Sequence, residues 1–129
     1  MSIQKMIAAH PDVAGNVNEP LASAVRHAMF CAALCNSCAD ACSAETMDMR
    51  QCIRSCLDCA DICAATASVG TRRTGSNIEV MRSMFETCIR TCNLCADECS
   101  QHDNDHCRLC TMMCRECAHD CQAALPTIH

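Results

Sequence analysis

Four runs of cysteine with the same spacing are the chemically distinctive feature of this sequence. In each run the cysteines are separated by four, three and four positions. The runs are Cys31-Cys35-Cys38-Cys42, Cys52-Cys56-Cys59-Cys63, Cys88-Cys92-Cys95-Cys99 and Cys110-Cys114-Cys117-Cys121, and Cys107 extends the last run backwards by three. Steps of three and four residues return to the same face of an α-helix. The pattern therefore predicts four helices, each with a seam of thiols where an ordinary bundle carries Leu, Ile or Val.

Four thiol seams that face one another would line the interior of a bundle with sulfur, a ligand for soft metal ions. All 17 cysteines lie on these seams. Thiolates favour Cu(I), zinc and iron–sulfur clusters. Because buried thiolates need a compensating positive charge, one monovalent ion per thiolate would neutralise the interior along its whole length. Two or three sulfurs from neighbouring helix faces also supply linear or trigonal sites, so the residues favour Cu(I) bound at many positions.

Zinc is the principal alternative metal. It is tetrahedral, and four separate thiolates around one Zn²⁺ would leave two excess negative charges unless sulfurs bridge neighbouring ions. A zinc-binding or zinc-buffering bundle therefore stays open on the residues alone.

An iron–sulfur or dithiol redox protein is a weaker alternative. The string C-x3-C-x2-C begins at Cys31, Cys52 and Cys88, and radical enzymes that use S-adenosylmethionine carry the same string. Those enzymes place it on a loop of a large α/β barrel, whereas the helix period explains its repetition in this chain. No nucleophile–base pair is recognisable, so the sequence does not predict an enzyme.

Disulfides are disfavoured by geometry and by context. The cysteine count is odd, and Cβ atoms three or four residues apart on a helix lie about 5–6 Å from each other. A disulfide needs a Cβ separation of about 3.5–4.5 Å. Bridges between helices remain geometrically possible.

Extending each seam by three or four residues reaches further candidate ligands near the bundle ends. These candidates are His27, Met49, Met81, Met84, His102 and His106. Because successive helices run in opposite directions, one end of the bundle should carry Met47, Met49, His102 and His106. The other end should carry His27, Met81 and Met84. Histidine and methionine bind soft ions more weakly than thiolate, so at a mouth they would pass an ion inward. The alternative is that the methionines fill the core and the histidines are solvated. His119 lies off the seam, and we expect it at the surface.

Composition limits the class of protein. The chain has 129 residues, a net charge of -5 and only 2% aromatic residues, which suits one small domain without a conventional core of large side chains. No basic cluster indicates nucleic-acid binding, and no run of ~20 apolar residues indicates a membrane span. No signal-type apolar region and no twin arginine follow Met1, so we expect a cytoplasmic protein with reduced thiols.

Local signals predict where the helices begin and end. We expect a short helix at 3–10, and long helices at about 20–44, 49–68, 76–101 and 105–124. At the start of the first long helix, Asn18 or Glu19 precedes Pro20. Gly70 suits a left-handed end of the second long helix. Ser76 to Glu79 matches a capping box at the start of the third. The expected organisation is an N-terminal extension at 1–19, a Cys-lined bundle at 20–124 and a C-terminal tail at 125–129.

An internal repeat sets the expected topology. Cys52 follows Cys31 by 21 positions, and Cys110 follows Cys88 by 22. The segment CNSCADAC, which begins at Cys35, is repeated as CNLCADEC from Cys92. The sequence therefore predicts an all-α fold, an antiparallel four-helix bundle built from a duplicated helical hairpin. Other apolar residues lie between the seams, and we expect them to seal helix edges or to form a subunit interface. They are Ile53, Leu57, Ile62, Ile89, Leu94, Leu109, Met112 and Met113.

The four C-x3-C-x2-C-x3-C helices resemble the bacterial copper storage proteins, specifically their cytosolic branch. The resemblance covers about residues 20–124. It implies a four-helix bundle whose core binds multiple Cu(I) ions, and association of the bundles into a homotetramer. It also implies that the seam cysteines are ligands and that His or Met lies near an opening, which in this chain matches His102, His106 and the mouth methionines. The partners that would donate or accept the copper are not identified by the sequence.

Overall fold

The computed structural model describes residues 2–72 and 77–129, and in these ranges all regular structure is helical. The elements in chain order are α1 (Ile3–Ala8), α2 (Glu19–Ser43), α3 (Arg50–Gly70), α4 (Ile78–Cys99), α5 (Asp105–Ala124) and a 3-10 turn (Leu125–Thr127). The prediction of four long helices after a short N-terminal one is confirmed. The predicted range of the last helix matches α5. The predicted ends of the other helices differ from the structure by no more than two residues.

Side-chain caps fix two of the helix starts. Ser2 Oγ accepts a hydrogen bond from the backbone N–H of Lys5 at 3.0 Å at the start of α1. Asn18 Oδ1 accepts one from the N–H of Leu21 at 3.1 Å at the start of α2, and Pro20 occupies the first turn, where its missing N–H costs nothing. Of the two cap candidates, the structure selects Asn18.

The prediction for Gly70 is wrong, because this glycine is the last residue of α3 and not a left-handed cap. In the described residues the backbone takes positive φ at Ala14 and Gly15. A Cβ atom at position 70 would lie 2.6 Å from Val25 Cγ2. Glycine is therefore needed for the close approach of α3 to α2. The predicted capping box and the loop before it include residues 73–76, which lie outside the described residues.

The four long helices form a closed ring of antiparallel neighbours. α2 packs on α3 and α5, and α4 packs on the same two helices. The sulfur of Cys42, late in α2, meets that of Cys52, early in α3, at 3.6 Å. Cys63, late in α3, meets Cys88, early in α4, at 3.8 Å. Within the described ranges no helix is long and apolar enough to cross a membrane.

One end of the bundle is closed by packed side chains. Phe85, Val25, Thr66 and Ala124 come from the four long helices and are fully buried there. We call this the Phe85 end. The segments outside the bundle cover it with further buried side chains, which are Ile7, Val13 and Ile128.

Polar contacts tie the two terminal segments together over the Phe85 end. Asn18 Nδ2 donates to Thr127 Oγ1 at 3.0 Å. Arg82 donates from α4 to the carbonyl oxygen of Ile128. The C-terminal segment is therefore tied to the start of α2 and to α4 at this end.

The apolar residues between the seams divide into two groups. Ile53, Ile62, Ile89 and Met113 pack on the core, as expected for residues that seal helix edges. The others are exposed by 45–65%, and they are Leu57, Leu94, Leu109 and Met112. The second group leaves apolar surface on the outside of the bundle.

Candidate metal centre

All the cysteines point into the bundle. Each of the 17 thiols is free, and each residue is at most 2% exposed. The neighbouring sulfurs of the network lie 3.6–4.0 Å apart, far beyond the ~2.05 Å of a disulfide bond. They are nevertheless close enough to share an ion, because two sulfurs bound to one metal can lie up to about 4.6 Å apart.

Helix period and antiparallel packing together create this arrangement. Within one helix, cysteines four residues apart bring their sulfurs close, as with Cys31 and Cys35 at 3.8 Å. Between helices, antiparallel seams pair at matching levels, so Cys35 meets Cys110 at 3.7 Å and Cys59 meets Cys92 at 3.8 Å. The sulfurs therefore have neighbours both along a helix and across the core.

The sulfurs form a path through the bundle without an interruption. Each step along it, within or between helices, is 3.6–3.9 Å. The path passes through the Sγ atoms of Cys42, Cys52, Cys99, Cys56, Cys110, Cys35, Cys114, Cys59, Cys63, Cys88 and Cys121. An ion could move along it by exchanging one sulfur ligand at a time.

Groups of four possible ligand atoms overlap along this path. The members of each group lie within 4.8 Å of one another. Cys31, Cys35, Cys59 and Cys114 form one group, and Cys31 and Cys59 also belong to a second group with Cys63 and Cys92. Shared members mean that the sulfurs do not divide into isolated four-ligand sites.

His106 is the non-cysteine candidate that the structure brings against the sulfurs. Its Nδ1 lies 3.4 Å from Cys38 Sγ, 3.5 Å from Cys107 Sγ and 4.0 Å from Cys42 Sγ. Its Nε2 lies 3.0 Å from Glu45 Oε1. The ring therefore joins the sulfur network to the protein surface at the end opposite Phe85, which we call the His106 end.

His102 also lies at the His106 end, but it is held within its own chain segment. Its Nε2 lies 3.0 Å from Glu98 Oε2, one helical turn earlier. Met49 is buried at the same end, at the residue before α3. Met47 is exposed. The structure thus gathers His102, His106 and Met49 at one end, and among the described hydrogen bonds it is His106 that reaches the sulfurs.

The candidates at the other end are not brought to a sulfur by any described hydrogen bond or ion pair. His27 Nδ1 pairs with Asp120 across the α2–α5 contact, and Ser23 Oγ donates to the same carboxylate at 3.2 Å. Met81 is buried and Met84 is half-buried near Phe85. His119 is exposed, as expected.

Glu45 is the site residue that the sequence reasoning missed. The signal was present, since extending the α2 seam by three residues beyond Cys42 reaches Glu45. Its position beside His106 depends on how the α2–α3 connection meets α5, which the spacing of the cysteines does not reveal.

Burial raises the pKa of three thiols near the His106 end. It is the largest cause that raises the pKa of Cys52 to about 11 and of Cys107 to about 12, from a usual value of 9.0. Burial likewise raises the pKa of Cys42. The contact with Cys38, followed by that with Glu45, raises the pKa of His106. Metal binding by Cys42, Cys52 and Cys107 would therefore displace their thiol protons.

Comparison with known proteins points to one family. Residues 17–126 match the family model described as copper storage protein. The fold superposes with a TM-score of 0.91 on the copper storage protein of Streptomyces lividans loaded with 10 copper equivalents, at 38% identity, covering 97% of this chain and 98% of that one. A second structure, described as a cytosolic copper storage protein from the same organism with five coppers, is 41% identical with a TM-score of 0.81, covering 84% of this chain and 93% of that one. No curated protein sequence matches this chain.

Proposed function

The chain belongs to the copper storage protein family, and on that premise we propose that it stores copper as many Cu(I) ions bound by its core cysteines. The observation that carries the proposal is the uninterrupted network of free, buried sulfurs with spacings of 3.6–4.0 Å. We place the storage bundle at residues 20–124, between the extension 1–19 and the tail 125–129. The proposed ligands are the 17 seam cysteines named above.

Charge supports Cu(I) as the stored ion. Ionised thiolates cannot stay buried without compensation, and one Cu(I) per thiolate removes the excess charge. Each thiol that binds copper releases its proton, because the thiolate is the ligand. A dry interior of neutral copper–thiolate units is then compatible with the burial of all the cysteines.

Ligand exchange would carry copper into the store. Neighbouring groups share sulfurs, so an ion can form a bond to the next thiolate before it leaves the last. We place the mouth at the His106 end, where His106 adjoins Cys38, Cys42 and Cys107. His102 and Met49 lie at the same end and are the other proposed mouth ligands. A ligand role for His27, Met81 and Met84 stays a prediction.

The cysteines act as ligands in this proposal and not as catalytic nucleophiles. A catalytic thiol is partly exposed and stands in an electropositive environment, whereas these thiols are buried among one another. We therefore propose a storage protein without catalytic activity.

We propose a cytosolic location and a homotetramer. The location is supported by the free thiols and by the relative described as cytosolic. Association is supported by the exposed apolar side chains of Leu57, Leu94, Leu109 and Met112 on the outside of the bundle, because exposed apolar surface is a candidate for an interface. Sedimentation equilibrium of the copper-free protein tests this, and a monomer at micromolar concentration would contradict it.

Anaerobic titration with Cu(I) against a chromophoric chelator tests the storage proposal. We expect uptake near one ion per cysteine, with release of about one proton per ion. Zinc is the second candidate, because groups of four thiols lie within 4.8 Å of one another. Saturation at about four ions would favour zinc-like tetrahedral sites, and metal analysis after expression would identify the native ion. A brown protein with visible absorption would instead support an iron–sulfur centre.

A further inference from the structure

His106 contacts two different environments through its two ring nitrogens. Nδ1 faces the sulfurs of Cys38, Cys42 and Cys107, while Nε2 lies 3.0 Å from Glu45 Oε1. Glu45 belongs to the connection between α2 and α3 and is 61 positions from His106 in sequence. The contact is therefore made by the tertiary structure and not by the helix that carries the histidine.

The chemistry of the pair determines which nitrogen is free to bind a metal. A neutral imidazole carries one N–H donor and one acceptor nitrogen. An ionised carboxylate only accepts hydrogen bonds, so the nitrogen that faces Glu45 carries the proton. The lone pair then lies on Nδ1, the nitrogen that faces the three sulfurs. Carboxylates that bind the second nitrogen in this way orient metal-binding histidines and increase their basicity.

We propose that Glu45 is a positioning residue, which holds His106 with Nε2 protonated and Nδ1 directed at Cys38, Cys42 and Cys107 so that the ring can receive an incoming copper ion. The inference rests on the proposed function, since it assumes that copper enters at the His106 end. It adds a residue whose role is to orient a ligand and not to bind the metal.

Electrostatic attraction is the rival role for Glu45. The side chains of Glu45 and His106 are 30% and 25% exposed, and a carboxylate at an opening raises the local concentration of cations. Asp48 offers a matched control for this role. It lies in the same connection, carries the same charge and pairs with Arg50 at 2.9 Å, not with a histidine. Removal of Asp48 therefore changes the charge without changing the ring.

The first experiment measures the ring directly, in the copper-free protein under anaerobic conditions. Long-range ¹H–¹⁵N correlation spectra of histidine-labelled protein, at a pH where the rings are neutral, report which nitrogen carries the proton. We expect the Nε2-protonated form for His106 in the wild type and in Asp48→Ala, and a mixture of both forms in Glu45→Ala. Retention of the Nε2-protonated form in Glu45→Ala would overturn the proposal.

The second experiment measures the rate of loading from a Cu(I)–chelator complex by stopped flow. We expect Glu45→Ala and His106→Ala to slow loading by about tenfold or more, Glu45→Gln to slow it less because its amide oxygen can still accept from Nε2, and Asp48→Ala to load at the wild-type rate. The double variant Glu45→Ala/His106→Ala should be no slower than His106→Ala alone, because the two residues act as one unit. Additive slowing, or equal slowing by Asp48→Ala, would overturn positioning in favour of charge.

Copper capacity separates failure of this inference from failure of the proposed function. All variants should reach the wild-type number of ions, since none removes a thiol. If the wild type itself does not approach one ion per cysteine, the storage proposal fails. If His106→Ala slows loading and Glu45→Ala does not, the storage proposal stands and the role of Glu45 is overturned.

Discussion

The two ends of the bundle are built from different kinds of residue. The Phe85 end packs an aromatic ring, Val25, a buried threonine and the close approach at Gly70, and both terminal segments cover it. At the His106 end the sulfur network continues to a half-buried histidine and a carboxylate. A cysteine-lined core supplies little volume of large apolar side chains. We therefore expect the Phe85 end to stabilise the metal-free bundle and the His106 end to give copper access to the sulfurs.

Truncation of the ring at the Phe85 end should have the largest effect. We expect Phe85→Ala to lower the free energy of unfolding of the metal-free protein by about 3–5 kcal/mol, because it leaves a cavity in the packed end. Phe30→Ala is the matched control, since Phe30 is 50% exposed and its loss should cost less than about 1 kcal/mol. Urea unfolding under reducing conditions measures both. Equal costs for the two variants would remove the distinction between the ends.

Replacement of histidines compares the two ends as routes for copper. We expect the double variant His102→Ala/His106→Ala to slow loading or removal by about tenfold, equivalent to ~1.4 kcal/mol, with capacity nearly unchanged. His27→Ala, at the Phe85 end, should load at the wild-type rate because His27 pairs with Asp120 across the α2–α5 contact and not with a sulfur. Loading kinetics with a Cu(I) chelator provide the measurement. A large loss of capacity would contradict the gateway role, and slowing by His27→Ala would indicate a second mouth.

Alkaline pH should destabilise the metal-free protein at the His106 end. We expect this effect to be smaller than those of the Phe85 and histidine substitutions. The pKa values of Cys52 and Cys107 are raised in the folded protein to about 11 and about 12, from 9.0. Folding therefore favours the protonated thiols, so their contribution to stability is complete below about pH 9 and is lost as the pH rises toward 11 and 12. We expect the Tm of the metal-free protein to fall over this range.

The copper-loaded protein is the control for the alkaline experiment. Its thiolates are bound to metal and have no proton to lose, so its Tm should be less sensitive to pH over the same range. Anaerobic thermal melting, followed by circular dichroism, measures both forms. A flat Tm for the metal-free protein would contradict the raised pKa values at this end.

Much of the fold could be predicted because the cysteine spacing is also a helix period. Asp105 and Ala124 bound α5 as predicted, and Asn18 with Pro20 fixed the start of α2 to within one residue. The function of Gly70 could not be predicted in the same way. Its sequence position suits a turn, but the need for glycine comes from Val25 on another helix, 2.6 Å from where a Cβ would lie.

The candidate site was also predicted in part, since the sequence located the histidines but did not distinguish their contacts. Seam extension correctly grouped His102 and His106 at one end, because antiparallel helices alternate direction. It could not separate them, since both are one helical step from a cysteine. In the structure His106 faces Cys38 and His102 pairs with Glu98. That difference depends on how α5 packs against α2, which carries Cys38, and the cysteine spacing does not reveal this packing.

The sequence by itself determined that this protein has four thiol-bearing helices and that soft-metal chemistry follows from them, because a 4-3-4 spacing places residues on one helix face whatever the surroundings. Only the tertiary structure decided which end is closed, which histidine meets sulfur and which carboxylate holds it. Those features depend on contacts between residues far apart in the chain, such as Glu45 with His106 and Gly70 with Val25. Local periodicity carries no information about such contacts, since they are set by how the helices and their connections pack together.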